Sequence, residues 1–202
     1  KVMRRDRVKR RRAEAHLRME RATAERAAHS PFLVGLRYAF ASGPYLVLAL
    51  PRPRMLARTL EHVTALGVKH ITLLHTRRVE KSYWQSPELA PERVREHLIL
   101  GLERARDTRL PEVTMATRFR PFLEDSLPDL LKGRRGLLAH PGMATPCPRG
   151  IDTPSLLLVG PEGGFIPYEV ERLLEAGCEG IHLGERILRV ETAVTALLAR
   201  LF

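Results

Sequence analysis

At 202 residues and 44% hydrophobic, the chain can bury a core without disulfide staples and is too apolar for wholesale disorder. No apolar run approaches the ~20 residues of a membrane-spanning helix, and the basic start KVMRRDRVKRRR lacks the apolar stretch of a secretory signal. Two cysteines, Cys147 and Cys178, cannot build a disulfide framework, no Cys/His cluster suggests zinc, and a reducing, cytoplasmic setting is expected.

Residues 1–44 hold 12 basic and four acidic side chains, so +8 of the net +11 sits in the first fifth of the chain. Clustered arginine favours a polyanion, because each neutralised phosphate releases condensed counterions. A solvated basic arm with no partner is the alternative. A membrane surface fits less well, since no tryptophan or phenylalanine is interleaved with residues 1–28. The stretch 13–28 is alanine-rich and helix-prone, with weak apolar periodicity.

The pattern turns regular after the Ser-Gly-Pro breaker at 42–44. YLVLAL (45–50) is a continuous apolar run, as in a strand buried on both faces. Leu56, Thr59, Leu60, Val63 and Leu66 share a helical stripe that Gly67 ends, and VKHITLLH (68–75) is a second strand. A polar connection over 76–90 carries Trp84, the sole tryptophan. The spacing then predicts a helix over 91–106, a strand over EVTMATRF, a helix over 121–131 and a strand over RRGLLAH (134–140). LLLV (156–159), a helix over 167–176, GIHL (180–183) and a C-terminal helix striped by Val190, Val194, Leu197 and Leu201 complete the chain. Strands alternate with helices from residue 45 onward, which predicts an α/β domain with a mostly parallel sheet, preceded by a short basic N-terminal segment.

Ligands in such sheets bind beyond the carboxyl ends of the strands. Three of those ends are unusual here: AHPGMA (139–144), VGPEGGF (159–165) and LGERILRVETA (183–193). Gly160, Gly163 and Gly164 either let a ligand approach the backbone or simply make a tight strand-to-helix turn. Their spacing is neither a dinucleotide fingerprint nor a P-loop. Arg186 and Arg189 lie three apart beside Glu191, whose other explanation is an acid in a first helical turn.

The block GPEGGFIPYEVERLLEAGCEGIHLGERILRVETA (160–193) resembles the C-terminal signature of the SPOUT superfamily of S-adenosylmethionine-dependent RNA methyltransferases. More narrowly it is similar to the RsmE type, which methylates N3 of a uridine in 16S ribosomal RNA. Residues 46–74, TRRVEKSYW (76–84), LERARDTRLPEV (102–113) and AHPGMA resemble further segments of that type, so the likeness covers 45–202. The resemblance implies a SPOUT-type sheet with a C-terminal trefoil knot, a homodimer, and a cofactor pocket made by the three loops. In that pocket Leu183, Gly184, Ile187 and Leu188 would hold adenine through their backbone. Gly160, Glu162, Gly163 and Gly164 would surround the ribose and methionine, with His140 and Pro141 on the wall. The implied partner is 16S ribosomal RNA or the small ribosomal subunit, with no membrane and no metal.

Residues 1–44 are too few for the PUA-like barrel of the RsmE type, so that domain is expected to be truncated or replaced by the basic arm. Arg104 stands where the type has glutamine. For methyl transfer, an arginine beside the uracil carbonyls would stabilise the developing imidate. Arg189 is placed first for that role and Arg186 second. Glu191 would accept the N3 proton, directly or through water, or orient Arg189. Arg10, Arg11, Arg12, Arg77, Arg78 and Lys81 would hold phosphates. Tyr83 or Trp84 would stack on a base, or Trp84 would pin its loop to the core. The competing functions are a SPOUT-like module that binds RNA or cofactor without turnover, and a SPOUT enzyme acting on transfer RNA.

Overall fold

The structure, a computed structural model, describes residues 44–202. The basic segment 1–43, with its helix-prone stretch and Arg10, Arg11 and Arg12, lies outside the described residues. In chain order the main elements are β1 (Tyr45–Ala49), α1 (Pro53–Ala65), β2 (His70–Leu74), α2 (Pro91–Ala105), β3 (Glu112–Ala116), α3 (Leu127–Leu131), β4 (Arg135–Ala139), β5 (Thr145–Pro146), β6 (Ser155–Val159), α4 (Pro167–Glu175), β7 (Glu179–His182) and α5 (Val190–Leu201). The strands form a seven-stranded sheet in the order β3-β2-β1-β6-β4-β7-β5. Every pairing is parallel.

The continuous apolar strands are explained by two-sided burial. Successive side chains on a strand point to opposite faces. Leu46, Leu48, Leu137, Leu157 and Val159 therefore join one core with Leu56 and Leu60 of α1, Leu98 of α2 and Leu197 of α5. Val47, Leu138, Leu156 and Leu158 join the other with Phe122, Leu127 and Leu173. Each such leucine taken out of water contributes roughly 1.5–3 kcal/mol, so neither face tolerates a register slip.

Two sequence expectations needed adjustment, and one short strand was not expected. The helix expected over 121–131 is interrupted: a helical turn Phe119–Pro121 and a π-helical turn Phe122–Ser126 precede α3. Pro128 has no N–H to give the carbonyl of Glu124, and its ring crowds that carbonyl, so the ladder widens and restarts with Pro128 in the first turn of α3. The strand expected over EVTMATRF stops at Ala116, because Phe119 already belongs to the helical turn. The two-residue β5 pairs Thr145 with Ile181 and Pro146 with His182 at the sheet edge, where a proline costs no ladder bond on its outer side.

Two contacts fix the helices and strands at close range. α1 and α2 touch at Gly101, where a Cβ would stand 2.5 Å from the Glu61 carbonyl oxygen. Lys69, 2% exposed, donates to the Asp107 carboxylate and to the Arg109 carbonyl at 3.0 Å, tying the turn after α2 to the start of β2. Burial alone raises the Asp107 carboxyl, but Lys69 and the amides of Arg109 and Thr108 outweigh it and hold it below the usual aspartate range.

Alanine is the better helix former by about 1 kcal/mol, whereas forcing a methyl into a filled contact costs roughly 1–3 kcal/mol. The steric effect wins, and Gly101→Ala is expected to lower the urea midpoint; a raised midpoint would show that α1 and α2 separate freely. A carboxyl lowered in the folded state adds stability that is present above its unfolded pKa of about 4 and is lost as pH falls through the folded value. Asp107→Asn should therefore cost about 3 kcal/mol near neutral pH, because Lys69 is left buried and unpaired. It should also flatten the acid limb of stability measured by denaturant titration; a variant with the parent's acid limb would remove Asp107 from that account.

Candidate active site

The site grows out of the strand register. Ala139 of β4 lies opposite Val159 of β6 on one side and opposite Ile181 of β7 on the other. Because the three strands are parallel, their next residues emerge together at one edge of the sheet. The turns beginning at His140, Gly160 and Leu183 therefore meet, although they lie far apart in the chain. They enclose one cleft of about 240 Å³.

All ten sequence-predicted cofactor residues line it: His140 and Pro141 from the first turn, Gly160, Glu162, Gly163 and Gly164 from the second, and Leu183, Gly184, Ile187 and Leu188 from the third. Arg186 lines it as well. Arg189 does not; it is the exposed residue that precedes α5, and Glu191 sits in the first turn of that helix. The floor is apolar, with Val159, Phe165, Ile181, Ala193 and Leu197. Periodicity marks these only as core positions, so their second role was invisible in the sequence.

Glycine is favoured at three points, two by conformation and one by space. Gly164 has φ +72° and Gly184 φ +114°, where an L side chain is strained. At Gly160 the reason is space, since a Cβ would sit 3.1 Å from the Phe165 ring and amide.

Side chains from other strand ends lock the glycine turn. The Arg52 amide, just past β1, donates to Glu162 at 3.0 Å. The Arg77 amide, just past β2, donates to Glu169 at 2.7 Å. Glu169 is only 2% exposed and also accepts from the Ile166 amide at 3.0 Å. It thereby closes the start of α4 and fastens the β2 loop to it. The sequence signal for Glu169 is the acid at the third position of a Pro-led helix, which usually reads as a capping residue alone. Arg78 donates to the Gly163 carbonyl, so this predicted phosphate contact lies across the glycine turn. Lys81 is exposed on a 3-10 turn. Trp84 donates to His75 at 2.8 Å and packs on the core, which pins the long loop.

Two strand-ending histidines use one device. The Gly142 amide donates to His140 Nδ1 at 3.1 Å, and the Gly184 amide donates to His182 Nδ1 at 2.9 Å. Burial and the Arg78 charge lower the His140 pKa against an opposing contact from the Phe165 backbone, so this ring is neutral at pH 7. Burial pushes the Cys178 thiol up to about 12 and raises Cys147 as well, so neither is a thiolate nucleophile at neutral pH. Among the described residues no cluster of His, Cys, Asp and Glu could hold a metal, and no helix is long and apolar enough to cross a membrane.

Comparison with known proteins gives this geometry a context. The family model for the RNA methyltransferase domain matches residues 43–202. The chain is 35% identical over 165 residues to the ribosomal RNA small subunit methyltransferase E of Treponema pallidum, covering 77% of this chain and 60% of that protein. It is 24% identical over 157 residues to the protein of the same name from Mesomycoplasma hyopneumoniae, covering 77% and 67%. The chain thus spans about three-fifths of the length of the first of these relatives. The ribosomal RNA small subunit methyltransferase E of Neisseria gonorrhoeae, solved bound to S-adenosyl methionine, superposes with a TM-score of 0.66 at 25% identity, covering 78% of this chain and 64% of that one. The parallel sheet is of the SPOUT type expected from the signature. With the match running unbroken through all three turns of the cleft, the chain belongs to the RNA methyltransferase domain family.

Proposed function

We propose that the chain transfers a methyl group from S-adenosylmethionine to N3 of a uridine in 16S ribosomal RNA. The observation that carries this reading is the convergence of the His140, Gly160 and Leu183 turns on one cleft. The names of the matched relatives point the same way.

The cleft suits the donor chemically. Backbone-lined glycine turns admit a ribose and an amino-acid end, and the apolar floor suits a flat purine. When bound, the donor supplies an electrophilic methyl group, whose bond to sulfur breaks as its bond to N3 forms. The residues of the chain must do the rest. N3 of uracil carries a proton and reacts poorly until that proton leaves. Losing it puts negative charge on both flanking carbonyl oxygens. Arg186 lies on the cleft wall, so it takes precedence over Arg189 as the cation that stabilises this charge. Glu191, at the start of α5, receives the proton through water. Arg10, Arg11, Arg12, Arg77 and Lys81 hold phosphates, and Arg78 adds its charge at the cleft rim. The reading includes a cytoplasmic, homodimeric protein whose residues 45–202 form a knotted methyltransferase domain behind a basic arm. Its partner is the RNA of the small ribosomal subunit.

Labelled S-adenosylmethionine and small-subunit RNA test the reaction. The expected product is N3-methyluridine, identified by nucleoside mass spectrometry. Another methylated nucleoside, or label in transfer RNA alone, would show a different enzyme; binding without transfer would show a binding module. Gly184→Val places a branched side chain at positive φ, a strain of about 1–3 kcal/mol. Calorimetry should read that as a roughly 5- to 150-fold weaker donor Kd; an unshifted Kd would take the Leu183 turn out of the binding site.

A further inference from the structure

The cleft does not stand alone. His140 and Phe165 also line a second, wider cavity of about 730 Å³. Its other walls are Arg78 and the face of α4 that carries Val170, Glu171 and Leu174. A methyl donor and its acceptor must touch, so the spaces that hold them must adjoin. The two cavities adjoin at His140 and Phe165, which line both, and His140 is the polar one of the two.

The protonation of His140 follows from its neighbour. A backbone amide can only donate, so the Gly142 N–H at 3.1 Å makes Nδ1 the acceptor. A neutral ring then carries its proton on Nε2, beside the Phe165 backbone, a contact that favours this proton and that an incoming carbonyl would replace. The ring cannot serve as a base toward uracil, because one nitrogen is engaged and the other is already protonated. It can only donate.

We propose that the cavity beside α4 takes the acceptor pyrimidine, and that His140 donates its Nε2–H to the carbonyl oxygen next to the reacting nitrogen. This rests on the uridine-N3 reading above and assigns its acceptor site. Uracil N3 is flanked by two carbonyls, and the walls offer two donors: Arg186 from the cleft and His140 from the shared wall. Pro167, Val170 and Leu174 supply apolar surface for the ring, with Glu171 and Glu175 also on the lining. Arg78 keeps positive charge beside the developing anion. The His140 proton stays on Nε2 throughout, while the N3 proton leaves by the water route. The donor also selects the base. Cytosine presents an amino group where uracil has O4, so it would set donor against donor.

Three measurements on the whole chain test this. Nitrogen-15 NMR of the histidine side chains should show His140 as the Nε2–H tautomer at neutral pH; an Nδ1–H tautomer overturns the proposal without any assay of turnover. His140→Leu should lower kcat about 10²-fold, the usual loss for one oxyanion donor, and His140→Gln, which keeps an N–H, should recover part of it. Both variants should keep the parent's far-ultraviolet circular dichroism, which shows that they are folded, and kcat is read at saturating donor, so that a change in donor affinity at this cleft residue does not enter it. An unchanged kcat in His140→Leu overturns the proposal. Leu174→Trp should raise KM for RNA and leave the donor Kd alone; an unchanged KM removes the cavity from the acceptor site. A wild-type chain that binds the donor and methylates nothing ends the methyltransferase reading itself, whereas a wild-type chain that transfers normally beside an equally active His140→Leu ends only this inference.

Discussion

The register of β6, β4 and β7 is the constraint on which the rest of the molecule depends. Ala139 is held between Val159 and Ile181, and the chain leaves all three strands at one edge of the sheet. A slip of one residue would turn Leu137, Leu157 and Ile181 out of one core and into the other. It would also carry the three turns out of line. Core packing and site geometry are therefore a single requirement: the leucines that stabilise the sheet also aim the glycine turns at each other.

Aiming them is not enough, because glycine turns are free to move. The turn from Gly160 to Phe165 is restrained by groups that come from elsewhere. Glu162 receives the Arg52 amide, Glu169 receives the amides of Ile166 and Arg77, and Arg78 reaches the Gly163 carbonyl. The loops behind β1 and β2 are thus bound to the loop behind β6. Each bond satisfies a backbone group that a strand end would otherwise leave to water. A cleft whose backbone is already held in place loses less freedom when a ligand enters.

The remaining wall comes from α5, and its far end is anchored too. The amides of Gly150 and Ile151 donate to the carbonyls of Arg200 and Leu201 at 3.1 and 2.7 Å, and Arg200 Nε donates to the Cys147 carbonyl at 2.7 Å. These bonds serve the carbonyls that a helix C-terminus cannot satisfy internally. They also set how deeply Ala193 and Leu197 sit beneath the turns. The segment that follows β5 therefore acts on the cleft from about two helical turns away.

Much of this was legible in the chain itself. The two-faced burial of YLVLAL, the stripe of α5 and the glycine-marked strand ends are local patterns, and a local period is enough to read them. The signature from Gly160 to Ala193 named the family because its residues are contiguous. What lay beyond local reading has one physical cause: it depends on which distant backbone groups become neighbours. Glu169 looked like a helix-capping acid until the Arg77 amide arrived beside it. Trp84 was open between a base and the core until His75 accepted its N–H. The sequence reading placed Arg189 ahead of Arg186, and only the path of the turn put Arg186 on the cleft wall. The break in the helix before α3 needed only Pro128, whose missing N–H falls inside the helix expected over 121–131. Composition, period and motif by themselves determined the class of fold and the candidate turns. The tertiary structure alone decided which turns meet and which side chains lock them, because those follow from contacts across the sheet that no stretch of sequence contains.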